Sequence, residues 1–219
     1  MTATKKVTKT KAPRVWIQEL ILAYSALASF IASKSSSDPQ EASIQEAPVF
    51  AAKAMLGLVK SEAESCREVR AIFNAAPTVV DTQILIAHGP VSVPTLCLHH
   101  MSPMSYEVYV AYYTHPSMGP IVQGHSLSAV VTSVCSLPMT ADVLAKYLAD
   151  TLHYTPGLPR PSISTAGAAV TIKQGKHPCS FCAAASNGAT SSATVFTGAM
   201  DTAKGEAAFY SAISNLRQV

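Results

Sequence analysis

Apolar residues recur at spacings of three and four at both ends of the chain and at spacings of two in its middle. Ile17, Leu20, Ile21, Tyr24, Leu27, Ala28 and Ile31 share one helical face, which predicts a helix from Val15 to Ser33. Ser35-Ser36-Ser37-Asp38-Pro39 breaks that pattern and reads as a joint. A second helix is expected from about Pro48 to Asn74, with Val49, Ala52, Leu56, Val59, Ala63, Cys66, Val69 and Phe73 as its apolar stripe. The middle then changes period. Val79–Ala87, Thr95–His99, Tyr106–Tyr113 and Leu127–Cys135 are rich in β-branched and aromatic residues and are separated by Pro or Gly, so they read as strands.

Thr140 is placed to cap a helix through about His153, with Leu144, Tyr147, Leu148 and Leu152 inward. Ser162–Ile172 and Thr190–Thr197 suggest further strands. A last helix follows from about Asp201 with Ala208, Phe209, Ala212, Ile213 and Leu216 on its inner face. Short strands without long helices between them imply an antiparallel sheet. The expected fold is therefore α+β: two N-terminal helices, a central antiparallel sheet, and helices near 140–153 and 201–217. The expected organisation is a disordered basic arm over 1–14, an N-terminal helix and joint over 15–38, and an α+β core domain over 39–219.

Charge alters this picture in one place. Lys5, Lys6, Lys9, Lys11 and Arg14 give the first fourteen residues five of the chain's 16 basic groups and none of its 13 acidic ones. No Lys or Arg occurs between Ala71 and Ala145. Charged residues make up 13% of the chain, about half the usual ~25%. A surface with few charges is expected where neighbouring copies cover it. A cationic arm neutralises phosphates without reading sequence. These five residues are the candidate nucleic-acid contacts. No aromatic lies among the lysines to stack on bases. No run reaches the ~18 apolar residues of a membrane span, so no membrane partner is expected.

The tests for catalytic chemistry fail one by one. His177-Pro178-Cys179-Ser180-Phe181-Cys182 contains a Pro-Cys-x-x-Cys similar to that of the cytidine deaminases, but no His-x-Glu accompanies it. The same segment offers two thiols toward zinc, with His177 as a third donor and Cys97, His99 or His100 as a fourth. Without a second paired motif, Cys179 and Cys182 read as reduced thiols near a turn, and no metal or other cofactor is assigned. Five cysteines with no regular framework point to a reducing compartment. Phosphate-cradling glycine motifs are missing, and so are paired carboxylates in the strand region.

Gly124-His125-Ser126-Leu127-Ser128 resembles the nucleophile elbow of α/β-hydrolases, and Ile86-Ala87-His88-Gly89 resembles the segment near their oxyanion hole. That resemblance implies Ser126 as nucleophile, Asp142 or Asp150 as acid and His153 or His177 as base. Ser128 stands where the second glycine belongs, and the preceding helices leave no room for the opening strands of such a fold. The serine hydrolase is the alternative reading.

A basic arm, an Ala/Ser/Thr-rich body and an antiparallel sheet resemble the small coat proteins of RNA viruses. Pro, Ala and Ser supply about a third of the residues. In this the chain is similar to the Pro/Ala/Ser-rich proteins that coat the double-stranded RNA of polymycoviruses. The resemblance implies a non-enzymatic, homo-oligomeric capsid protein that packages nucleic acid, most naturally RNA, by self-assembly in a virion or the host cytoplasm.

Overall fold

A computed structural model describes residues 13–34, 42–77, 83–97, 102–115, 120–153, 161–174 and 192–216. The chain divides into two compact units, residues 1–57 and 58–219. The first holds helix α1 (Pro13–Lys34) and all but the last residue of helix α2 (Ala42–Leu58). Of the basic residues predicted to contact nucleic acid, Arg14 falls in the first turn of α1, while Lys5, Lys6, Lys9 and Lys11 lie outside the described residues.

The second unit is the α+β body. Its order is α3 (Glu62–Ala75), β1 (Leu85–Cys97), β2 (Ser102–Thr114), α4 (Gly124–Cys135), α5 (Ala141–Leu152), β3 (Thr165–Gln174), β4 (Ser192–Phe196), a 3-10 turn (Gly198–Met200) and α6 (Ala203–Leu216). The four strands form one antiparallel sheet in the order β1-β2-β3-β4. The α+β class expected from the sequence is the one found.

β2 is the spine of this sheet. Tyr106, Val108, Val110 and Tyr112 pack into a core with Val93, Val170, Ile172 and the inward faces of α3, α4 and α5. Tyr109 and Ala111 face the other way, onto Ala169, Met200, Phe209 and Ile213 beneath α6. The period of two read from the sequence thus fills both faces of the strand.

Local chemistry sets the remaining boundaries. The stretch expected as one helix from Pro48 to Asn74 is two, because Ser61 and Glu64 form a reciprocal capping box that starts α3. The strand expected at Leu127–Cys135 is helix α4 instead. Leu127, Val130, Val131 and Val134 are each fully buried at helical spacing, and burial of that stripe outweighs their β-propensity. The two strands expected on either side of Gly89-Pro90 are one, β1. A bulge between His88 and Val91 absorbs the Gly-Pro pair, and Gly89 (φ 142°) brings its backbone so close that a Cβ would meet Val108 O at 2.9 Å. Pro94 is tolerated because β1 is an edge strand. Close approach recurs at Gly167, where a Cβ would stand 2.5 Å from Thr197 O and block the 3-10 turn from packing on β3.

Two polar contacts fasten the helices to this frame. The fully buried Tyr112 hydroxyl donates to Val122 O (2.7 Å) and accepts from Val122 N (2.9 Å), pinning the approach to α4. Between α3 and α4, Ser133 Oγ donates to Glu68 Oε2 (2.8 Å), which also pairs with Lys60. The Lys60 ammonium, and to a lesser degree the Ser133 hydroxyl, hold the Glu68 carboxyl below its ordinary value against the opposing pull of desolvation.

Tyr112→Phe removes one donor and one acceptor from a buried pair and is expected to cost about 1–3 kcal/mol in a denaturant titration. A carboxyl held down by its partners contributes stability above its unfolded pKa, and that contribution is lost as pH falls through the lowered folded value. Stability should therefore decline as pH drops below about 4.5. Glu68→Gln should show a shallower decline over the same range, read from melting temperatures at each pH.

Candidate functional site

Antiparallel pairing gathers the chemistry-bearing segments. Cys97, the last residue of β1, stands opposite Ser102, the first of β2. Gln174, the last residue of β3, stands opposite Tyr106, and Ser192 of β4 opposite Lys173. The connections 98–101 and 175–191 therefore leave the same end of the sheet. The first carries His99 and His100, and the second carries His177, Cys179 and Cys182. These five residues lie outside the described ones, so their placement here is topological.

Cys97 is the described member of this group. Its side chain is only 4% exposed and belongs to the main core. Tyr106 lies beside it: burial raises this phenol to about 12, and the neighbouring Cys135, Cys97 and Asp142 push in the same direction. Tyr106 also donates a long hydrogen bond to Met139 O (3.5 Å), so the α4–α5 connection closes over this part of β2. Asp142 begins α5, fully exposed, and the Thr140 hydroxyl holds its carboxyl down as a carboxylate. Cys135 is completely buried, and desolvation raises its thiol to about 12, which leaves it inert as a nucleophile or metal ligand. On the opposite face of the sheet, Lys173 stands across from Glu107 and 5.7 Å from the Tyr109 ring.

Among the described residues, no three His, Cys, Asp or Glu side chains gather as a metal group. The donors that the topology collects are Cys97 with His99 and His100, and His177 with Cys179 and Cys182. Thiolate and imidazole are the ligands zinc takes. Cys97-Leu98-His99-His100 sets a thiol three residues before an imidazole in the sequence. It is hard to see in the sequence because its cysteine ends a strand that Pro94 and Gly89-Pro90 make look broken.

The residues of the hydrolase reading are not brought together. Ser126 is exposed on the first turn of α4, beside an open pocket lined by Ile72, Ala76, Pro77, Ile121 and Gln123. The helix follows an antiparallel strand and not the parallel strand of a nucleophile elbow. Among the described residues, no imidazole reaches Ser126. His88 Nε2 meets Ser128 Oγ at 2.6 Å instead, and burial lowers the pKa of that histidine. Asp150 pairs with Lys146, and His153 Nδ1 lies 2.9 Å from Thr165 O, each within its own structural contact.

The coat-protein reading is overturned as well. The stretch without Lys or Arg from Ala71 to Ala145 owes its character to the chain's own core. β2 and α4 are buried by the sheet and helices of the same unit. No curated protein matches the chain. The family model for GTP cyclohydrolase I matches residues 25–214, which takes in the second part of α1, from Ser25, and every described element after it, α6 as far as Ser214. This replaces the resemblance to viral coat proteins, the capsid and packaging role, the nucleic-acid partner and the expectation of a non-enzyme. It leaves no place for the serine hydrolase either. The chain belongs to the GTP cyclohydrolase I family.

Proposed function

We propose that this chain binds GTP and opens a ring of its guanine base by hydrolysis, at the end of the sheet where Cys97 and the connections 98–101 and 175–191 meet. The observation that carries this reading is the coincidence of two things. The family match is to GTP cyclohydrolase I, and the two connections whose sequence holds His99, His100, His177, Cys179 and Cys182 leave the sheet at the end where Cys97 sits.

Ring hydrolysis forms a C–O bond at a ring carbon, breaks a C–N bond and returns a proton to the departing nitrogen. Such chemistry needs an activated water and a group that carries protons. Cys97, His100 and one thiolate of Cys179 or Cys182 would hold a zinc ion with three protein ligands, which would supply a water that ionises near neutral pH. His99 and His177 are then the imidazoles placed to hold and move protons, since histidine titrates within the physiological range. Cys97, fixed in the core at the end of β1, keeps its own connection anchored to the rigid sheet. Lys176, in the connection after β3, is assigned to the triphosphate, a charge that the stretch from Ala71 to Ala145 cannot supply. A dedicated glycine loop is not required, because separate cations can hold phosphate as point charges.

The purified protein, supplied with zinc and incubated with GTP, is expected to convert it to a product with an altered base ultraviolet spectrum and an intact triphosphate, resolved by ion-exchange chromatography. Cys97→Ser and His100→Ala should each lower both zinc content and rate, the rate on the order of 100-fold, with the melting temperature used to confirm folding. Ser126→Ala should leave the rate unchanged. GTP left intact by the zinc-loaded protein would overturn the reading. So would a Cys97→Ser variant that keeps its metal and its rate.

A further inference from the structure

Among the described residues, Thr95 is the buried serine or threonine whose hydroxyl has no hydrogen-bond partner. It is 1% exposed. The others are all paired. Thr114 Oγ1 accepts from Ile84 N (2.8 Å), Thr151 Oγ1 donates to Tyr147 O (2.9 Å) and Thr165 Oγ1 donates to Leu152 O (2.6 Å). Ser133 Oγ meets Ser65 Oγ, Ser136 Oγ donates to Thr132 O, and Thr171 Oγ1 meets Thr194 Oγ1. A hydroxyl buried without a partner destabilises the fold, and valine would fill the same strand position without that cost.

The surroundings of Thr95 narrow what its hydroxyl can serve. Side chains alternate along a strand, so Val93, Thr95 and Cys97 share the inner face of β1. Val93 stands opposite Tyr106, and Thr95 opposite Met104. Val93, Cys97, Met104 and Tyr106 all belong to the main core. The Tyr106 hydroxyl already donates to Met139 O. A buried water would need two to four polar partners, and Val93 and Met104 offer none. Of the residues beside Thr95 along the strand and across from it, Cys97 is the one whose side chain can become an anion.

We propose that Thr95 is a positioning residue, its hydroxyl donating to the Cys97 sulfur when that sulfur is a metal-bound thiolate. This rests on the zinc centre of the proposed function. A neutral thiol is a weak acceptor, so the bond forms only once metal has displaced the thiol proton. In the metal-free chain the hydroxyl is therefore without a partner. Thr95 touches neither metal nor substrate. It fixes the direction of the ligand and steadies its charge, as outer partners of metal ligands do.

Removing the hydroxyl should act in opposite directions on the two forms of the full-length protein. Stripped of metal, Thr95→Val should melt about 2–4 °C above the unaltered chain, because an unpaired buried group is gone. The same variant should bind zinc about tenfold or more weakly, read by competition with a chromophoric chelator. With cobalt(II) in place of zinc, its sulfur-to-metal charge-transfer band should move to longer wavelength, since the thiolate has lost a donor. Thr95→Ser keeps the hydroxyl and should restore both zinc affinity and band. Unchanged zinc affinity and an unchanged cobalt band in Thr95→Val overturn the proposal, and the ring-opening reading survives if GTP is still converted. A metal-free Thr95→Val chain that melts lower also overturns it, because the hydroxyl would then have had a partner without metal. Weakened zinc binding in a protein that leaves GTP intact upholds the Thr95 contact and removes the ring-opening reading alone. An unaltered chain that binds no zinc overturns both.

Discussion

The body of this protein depends on one constraint, the burial of β2 on both faces. Tyr106, Val108, Val110 and Tyr112 lie against the helices on one side, while Tyr109 and Ala111 lie against α6 on the other. A strand packed in this way holds its register, because a slip of one residue would exchange the two faces. With β2 fixed, β1 and β3 can only pair antiparallel beside it, and β4 beside β3. The end where β1 turns into β2 is then necessarily the end where β3 turns toward β4. That the connections carrying His99, His100, His177, Cys179 and Cys182 leave the sheet at the end where Cys97 sits follows from core packing, before any ligand is considered.

Much of this fold was legible in the sequence, and the misreadings have identifiable causes. The alternation through Tyr106–Tyr113 led correctly to β2 and the antiparallel sheet. Leu127–Cys135 was misread because Val130, Val131, Thr132 and Val134 favour strands intrinsically, although Leu127, Val130, Val131 and Val134 already have helical spacing. Period was the better guide there than propensity. Gly89, Pro90 and Pro94 looked like strand breakers. An edge position and a bulge remove that penalty, and neither can be known before strand order is. The start of α3 was present as a capping box, Ser61 with Glu64, inside what looked like one long apolar stripe.

The site was legible residue by residue but not as a site. Cys97, His99, His100, His177, Cys179 and Cys182 were all noticed, yet the two groups stand far apart in sequence, and only the strand order brings their connections to one end of the sheet. Scarce charge was taken as a surface that other copies cover, whereas β2 and α4 show that it is the interior of one body. The lack of a phosphate-cradling glycine motif was given too much weight, since it excludes one way of holding a nucleotide and not nucleotides in general. The hydrolase reading failed on local geometry, because a Gly-x-Ser sequence at the start of α4 lacks the parallel strand that would make it an elbow.

The close packing around β2 also bears on how such a chain can change in descent. Inserting one residue within Tyr106–Tyr113 would turn Glu107 toward the space that Val108 fills, so length variation there is barred. The connections 98–101 and 175–191 carry no such burden, because the strands they join are held by their neighbours and not by the loops. Reactive side chains at that end can be exchanged, lengthened or lost while the frame persists. A chain of this kind can therefore keep the fold of its family while altering the chemistry or the substrate it accepts, and laboratory grafting of new loops should be easiest at these two places.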